Sequence, residues 1–372
     1  MTEKPAAFAP PTGVFAGDLP AMFGYQMSGY PVVPLVQGRS YLLTSPDLYR
    51  DLLLRDEGLS KPEMQRWDQV IRKLPPAGLA LLGMASETLA EKHLARIAAN
   101  CVELVIADAR FGTPESEFEL RTFWRACVML MFVRVLLAED LTDPDPQLFA
   151  WVEERDRART ALTRRFWMPL PEGSPTEQEW AAGRDHELRL GREMKEWLRE
   201  QGRKSDATPD FSESDLDSIV ALAGATSQVV TILVSACAVL GLDAHRSDDT
   251  AKGAWWQWLM AHYPPPWILG RTLVNECAIG DVNIPAGAQI LYSPLCTAYD
   301  PRRPTPRGSI AGLSVFGAGK RQCPAKGPAV QVAQAMFTEY RRHFVAPRRA
   351  TNLIFDTAVS MLPRAGCMSE LI

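Results

Sequence analysis

Cys323 stands on a loop that constrains the fold more than any other part of the sequence. The loop covers residues 316–329, is broken by glycines and precedes a helical pattern over residues 330–344. Arg321 lies two residues before the cysteine. A cation and a helix N-terminus both favour thiolate over thiol, and a thiolate can hold heme iron axially. The loop therefore predicts a metal-ligating cysteine; the alternative is a buried structural cysteine on a chance glycine loop.

The spacing of this loop resembles the heme-binding loop of the cytochrome P450 family, F-x-x-G-x-R-x-C-x-G. Phe316, Gly319, Arg321 and Cys323 match the pattern, and Ala325 stands where the last glycine is usual. The resemblance implies heme b as the cofactor, with an axial thiolate from Cys323.

The resemblance also implies a fold class and a domain organisation. We expect a mainly α protein with small β-sheets, a cytochrome P450-like single-domain fold with a long central helix over the heme. Residues 1–20 are rich in Pro, Ala and Gly and predict a flexible lead-in. Residues 21–372 are then the single heme domain.

Composition argues against several other classes of protein. The net charge of −4 gives no indication of nucleic acid or an anionic membrane as a partner. Seven cysteines form no C-x-x-C pair, so neither a zinc site nor a disulfide framework is predicted. The N-terminus has neither an apolar signal core nor an anchor. These features fit a reducing, cytoplasmic location.

One segment, residues 219–242, has no charged side chain and is about as long as a bilayer is thick. It contains several Gly, Ser, Thr and Gln residues, and no basic clusters flank it. A helix that is apolar on all sides can equally be the central helix of a large soluble protein, which is the interpretation that we favour.

Local patterns predict the other elements. Residues 30–43 predict a hairpin around Gly38, and Ser45 and Pro46 predict the start of a helix that runs to about Arg55. Further helices are expected over residues 86–96, 118–139, 145–166, 174–203 and from Ser212, and short strands over residues 351–372. In the resemblance, Trp167 and Met168 are candidate residues of a pocket roof.

Three basic residues are candidates for binding a heme propionate. Arg271 stands nine residues before Gly280 and is followed by I-P-A-G at residues 284–287, the family's spacing from its propionate-binding arginine. Lys92 replaces the arginine of the family segment P-E-H-x-R-L-R-R, with His93 beside it. The alternatives are a surface arginine for Arg271 and a solvated helix face for Lys92 and His93.

The central helix resembles the family pattern A-G-x-(D/E)-T. Ala223 and Gly224 would allow close approach of the porphyrin, while Thr226 replaces the acid and Ser227 the threonine. In the family the acid feeds protons and the alcohol holds dioxygen, so the resemblance implies catalytic roles for Ser227 and Thr226 without the carboxylate. The alternative is that both hydroxyls only bond the helix backbone.

The family's E-x-x-R pair is not found before Pro264 and Pro265, and the later R-D-P signal begins with Tyr299. The triad of one glutamate and two arginines is therefore lost as a unit. We interpret this loss as a concerted replacement by other packing.

Three functions remain open. The first is a monooxygenase or oxidase that tailors a secondary metabolite with dioxygen and an external electron donor. The second is a heme-thiolate isomerase, cyclase or peroxide-using enzyme, and the third an inactive heme-bearing recruitment module. The expected partners are a small-molecule substrate, free or bound to a carrier protein, and a ferredoxin or flavodoxin. The electron donor would dock on the basic residues near the cysteine, Lys320, Arg321, Lys326, Arg341 and Arg342.

Overall fold

The computed structural model describes residues 14–15, 19–36, 38–55, 59–60, 88–107, 118–136, 147–148, 150–152, 154–155, 158, 177–204, 211–242, 253–300, 302, 315–319, 322–323, 325–343, 354–357, 361–363 and 368–369. The predicted pocket-roof residues Trp167 and Met168 lie outside these ranges, as do Lys320 and Arg321.

Helices make up most of the described chain, as expected from the sequence. They are α1 (Leu19–Met27), α2 (Pro46–Arg55), α3 (Thr88–Ala107), α4 (Leu120–Leu136), α5 (Glu177–Lys204), α6 (Glu213–Leu242), α7 (Gly253–His262), α8 (Pro294–Ala298) and α9 (Lys326–His343).

The strands are short. They are β1 (Val14–Phe15), β2 (Val32–Val36), β3 (Ser40–Leu43), β4 (Leu59–Ser60), β5 (Phe118–Glu119), β6 (Leu269–Leu273), β7 (Cys277–Ile279), β8 (Val282–Ile284), β9 (Gln289–Tyr292), β10 (Ile354–Thr357), β11 (Met361–Pro363) and β12 (Met368–Ser369). The sequence predicts a flexible lead-in over residues 1–20. The described residues of this segment form regular structure, as β1 and the first two residues of α1.

The largest sheet in the described chain has the order β2-β3-β9-β6-β4. The predicted hairpin is confirmed as β2 and β3, and Gly38 takes the left-handed conformation that its turn requires (φ 73°). β9 runs parallel to β3 and antiparallel to β6. Helix α2 starts at Pro46, as predicted, and packs its buried Tyr49, Leu52 and Leu53 against this sheet.

The hydrophobic core lies where α3, α4, α6 and α9 pack together. Helix α4 is buried on almost every side, because its sequence is apolar around its whole circumference. Trp124 of α4 stacks at an angle against Tyr340 of α9 and donates an indole hydrogen bond to Cys237 of α6 (3.3 Å). These contacts fix α6 and α9 relative to each other.

Helix α6 is the long, mostly uncharged helix of the sequence. Ser212 caps it reciprocally with Asp215: the Ser212 amide donates to Asp215 Oδ2 (2.8 Å), and the Asp215 amide donates to Ser212 Oγ (3.4 Å). In the described part of the chain, no helix combines the length and apolarity that crossing a membrane requires.

The remaining strands form small sheets. β1 pairs in parallel with β10, which pairs with β11, while β12 pairs with β5 and β7 with β8. The short strands predicted for residues 351–372 are thus confirmed. Helix α9 begins at Lys326, four residues before the predicted start, because Pro328 lies in the first turn, where its missing amide costs no helical hydrogen bond.

Candidate functional site

The Cys323 loop is closed by backbone hydrogen bonds. The Cys323 amide donates to the Phe316 carbonyl (2.7 Å), and the Gln322 amide donates to the Gly319 carbonyl (3.1 Å). Gly317 and Gly319 have positive φ values of 76° and 60°. These bonds set the position of Cys323 before α9 begins.

Gly319 is required for space as well as for conformation. A Cβ at this position would lie 3.3 Å from both the Leu53 carbonyl oxygen and Leu54 Cδ2. The cysteine loop therefore sits directly against the last turn of α2.

Cys323 differs in environment from the buried cysteines. Its side chain is exposed and lies at the N-terminal end of α9, where the helix dipole stabilises a negative charge. By contrast, burial raises the pKa of Cys101 and of Cys296 to about 12, more than hydrogen bonds from Arg134 and Ser293 lower it. Those two side chains remain thiols at neutral pH, and the exposed Cys323 stays the candidate for a metal ligand.

The candidate residues of α6 lie in its buried middle. Thr226 donates its hydroxyl to the Ala223 carbonyl (2.5 Å) and also contacts Met129 Sδ at 3.3 Å. Ser227 is buried, and its carbonyl accepts the hydroxyl of Thr231 (2.9 Å). The Thr226 hydroxyl thus bonds the helix backbone, as expected if its role is only structural. Ala223 and Gly224 lie on the same stretch of α6.

Arg271 lies on β6 and is partly buried. Its Nη1 donates to the carbonyl of the neighbouring Gly270 (2.7 Å). Its Nε is buried and has no hydrogen-bond partner among the described residues. A buried guanidinium nitrogen of this kind fits an anionic acceptor such as a carboxylate.

Lys92 and His93 lie on α3, which packs along α9. Lys92 is exposed, and His93 Nδ1 lies 2.8 Å from Nη2 of Arg96, one turn further along. A role for either residue at a propionate stays a prediction, and Arg96 is a basic neighbour that the sequence pattern did not indicate.

Aromatic contacts occupy the region where the family has its charged triad. His262 stacks on Trp258 with ring centroids 4.4 Å apart and meets the edge of Tyr299 at 5.6 Å. Its Nδ1 also lies 2.8 Å from the Trp258 carbonyl oxygen. The described residues therefore join α7 to the segment after α8 by packing of rings. That this packing replaces the family's triad stays a prediction.

Comparison with known proteins gives the fold its class. No protein-family model matches the chain, and no curated protein matches it in sequence. Solved structures do match over almost the whole length, and the chain has the cytochrome P450 fold.

The individual matches are distant in sequence. CYP175A1 from Thermus thermophilus is 17% identical with a TM-score of 0.64, covering 95% of each chain. A structure described among unusual cytochrome P450-like monooxygenases of microbial secondary metabolism is 14% identical with a TM-score of 0.65, covering 95% of this chain and 98% of its own. P450BioI, in complex with an acyl carrier protein carrying hexadec-9Z-enoic acid, is 10% identical with a TM-score of 0.63, covering 94% of this chain and 97% of its own.

Proposed function

We propose that the protein is a divergent cytochrome P450 that binds heme b through Cys323 and oxidises a small molecule with dioxygen. The observation that carries the proposal is the exposed Cys323, held by the Phe316 carbonyl at the start of α9 within a cytochrome P450 fold. A buried structural cysteine, the alternative for this loop, would not present its sulfur in this way.

The described residues fit this cofactor at several points. Cys323 would ligate the iron, Phe316 and Gly319 shape the loop, and Arg271 would bind a propionate through its buried Nε. Ala223 is fully buried in a hydrophobic cluster with Met129 and Val220, so close approach of a porphyrin at Ala223 and Gly224 stays a prediction. When bound, heme with a thiolate ligand supplies oxygen activation, because the thiolate pushes electron density onto the iron.

Proton delivery would differ from the usual arrangement. Thr226 has no carboxyl group, and its hydroxyl proton already points to the Ala223 carbonyl. The Ser227 hydroxyl is then the group of this pair that could hold a proton beside the reacting centre, with ordered water or a substrate group as its source.

The substrate class is inferred from two of the structural matches. One match is described with microbial secondary metabolism, which supports a secondary metabolite as the substrate. Another is a complex with a loaded acyl carrier protein, which supports the carrier-bound form as one option. We place the reaction in the cytoplasm, with a ferredoxin or flavodoxin as the electron donor.

A second candidate is a heme-thiolate isomerase, cyclase or peroxide-using enzyme. The hydrogen bond from Thr226 to Ala223 favours it, because it engages the Thr226 hydroxyl with the backbone, and such reactions do not need a proton relay at position 226. Turnover of the wild type with dioxygen and a surrogate reductase, compared with turnover in hydrogen peroxide alone, separates the two candidates.

The first test is the spectrum of the reduced carbon-monoxide adduct. The wild type should show the absorption of a thiolate complex, and Cys323→Ser should lose it, because a hydroxyl does not replace the thiolate. Cys277→Ser is the matched control, since Cys277 lies on β7 and is partly exposed. A thiolate band that survives in Cys323→Ser would refute the proposal.

A further inference from the structure

The side chains of Arg271 and Tyr292 point to the same face of the large sheet. Arg271 of β6 is opposite Ile290 of β9, and Leu269 is opposite Tyr292. Opposed residues of an antiparallel pair point to the same face, as do residues two apart on one strand. Arg271 and Tyr292 are therefore diagonal neighbours on the face that α2 covers.

Tyr49 of α2 lies on this same face. Its ring stacks on Tyr292 with centroids 4.6 Å apart and an interplanar angle of 16°. Burial raises the pKa of Tyr49, and the positive charge of Arg271 opposes part of that rise, so the two side chains are within electrostatic reach. The phenol stays protonated at neutral pH and can act as a donor.

Neither the Tyr49 hydroxyl nor Nε of Arg271 donates a hydrogen bond to a described residue. Tyr49 is fully buried, and its hydroxyl has no hydrogen-bond partner among the described residues, like Nε of Arg271. Leaving a buried polar group unsatisfied is costly, and native proteins rarely do so. Two such donors on one face of the sheet, within electrostatic reach of each other, fit a single acceptor that bonds to both.

Helix α2 brings this pair to the cysteine loop. Tyr49 is one helical turn before Leu53, and the Leu53 carbonyl lies 3.3 Å from the position of a Cβ on Gly319. Tyr49 therefore lies one helical turn from the place where α2 contacts the cysteine loop.

We infer that Tyr49 is a further cofactor-positioning residue, whose hydroxyl and Arg271 together bind one heme propionate. The inference rests on the proposed function, since it takes heme as the bound group. The carboxylate accepts one hydrogen bond from the phenol and one from the guanidinium, and the latter supplies the opposite charge.

The test measures heme loss from the holoprotein to an acceptor globin in Tyr49→Phe. Removing one hydrogen bond to a carboxylate should speed heme loss roughly tenfold. The heme-free protein should be as stable as the wild type or more so, because the substitution removes an unsatisfied buried hydroxyl. Tyr41→Phe is the matched control from the same hydrophobic cluster and should leave heme loss unchanged.

Two further measurements exclude a merely structural role. With heme dimethyl ester, whose propionates are blocked, Tyr49→Phe and the wild type should lose the cofactor at equal rates. In a double-mutant cycle, Tyr49→Phe and Arg271→Gln should be non-additive, because both donors bind one acceptor.

The possible results distinguish this inference from the proposed function. If the wild type binds heme through Cys323 but Tyr49→Phe leaves heme loss unchanged, or speeds loss of the ester equally, only the role of Tyr49 is overturned. If the wild type takes up no heme, the proposed function fails and the inference with it.

Discussion

Asp300 connects two parts of the chain through hydrogen bonds to Gln26 and Arg302. It stands in the Asp300-Pro301 pair that remains of the family's R-D-P signal, and it joins α1 to the segment after α8. Its carboxylate accepts hydrogen bonds from Nε of Arg302 (2.9 Å), from Nη2 of Arg302 (2.7 Å) and from Nε2 of Gln26 (3.3 Å). Burial acts to raise the pKa of Asp300, but the hydrogen bonds from Arg302 and Gln26 outweigh it and hold the pKa below its ordinary value.

This direction predicts how stability depends on pH. The stabilisation by Asp300 should be complete above its unfolded pKa of about 3.9 and should be lost as the pH falls towards the lower folded value. Asp300→Asn should cost about 1.5–3 kcal/mol at pH 7, in the range of charge-assisted hydrogen bonds. Urea unfolding at pH 7 and below pH 4 checks both statements. A difference between the two proteins that does not shrink in acid would contradict them.

At the scale of single residues, sequence spacing predicted the candidate site in part. Cys323 and Arg271 stand at fixed distances along the chain from recognisable glycines and prolines, so local pattern sufficed to single them out. Tyr49 has no such signal: its relation to Arg271 exists only after α2 folds over β6 and β9. The aromatic contact of His262 with Tyr299 is likewise formed by residues far apart in sequence.

Among the elements, α6 receives side-chain donors on its backbone at successive turns. Arg155 Nη1 donates to the Val220 carbonyl (2.6 Å), Thr226 to Ala223, and Thr231 to Ser227. Arg155 also lies near Glu187 of α5, with Nε and Oε1 3.9 Å apart. This arginine therefore connects three parts of the chain next to the residues proposed to face the heme.

We expect the more buried of two contacts with α6, that of Arg155 rather than that of Lys195, to contribute more to the free energy of unfolding. Arg155→Gln should cost about 1.5–3 kcal/mol, because it removes a charge-assisted bond from a partly buried site. Lys195→Gln is the comparison: Lys195 bonds Asp217 (2.7 Å) and Glu213 (3.2 Å), but both acids are largely exposed. Its cost should stay within about 1 kcal/mol. Denaturant titration of both variants is the measurement, and a reversed order of the two costs would refute the argument.

Length and hydrophobic pattern predicted the helices better than their boundaries. Helix α6 was evident from its uncharged run and its Ser212 cap, and α2 from Ser45 and Pro46. The start of α9 was missed because Gly327 and Pro328 are helix breakers in an interior but are tolerated in a first turn. Short strands such as β4 and β5 depend on partners far along the chain, which no local pattern contains.

For the whole molecule, the net charge of −4 hides a local excess of basic residues on α9. Lys326 begins the helix beside Cys323, and Arg341 and Arg342 lie in its last turn. Arg342 is engaged with the buried Glu339 (2.6 Å). Lys326 is thus the better residue for testing whether an acidic electron donor docks on the cysteine side.

Lys326→Glu should slow reduction of the protein by an acidic ferredoxin and flatten its dependence on ionic strength. The fold should not suffer, since an acidic residue at the start of a helix complements the helix dipole. Arg192→Glu, an exposed charge reversal on α5, is the control. Stopped-flow reduction under carbon monoxide measures the rate, and equal rates for Lys326→Glu and the wild type would argue against docking at this site.

The pairing of β1 with β10 has a consequence for how the protein is made. Val14 and Phe15 lie opposite Ile354 and Phe355, so β1 is synthesised 340 residues before its partner (354 minus 14). Strand β12, the partner of β5, is likewise synthesised much later than β5 itself. While synthesis proceeds, the early strands have exposed edges that can pair with other nascent chains. We therefore expect the emerging N-terminal region to be a binding site for chaperones until β10 has been made.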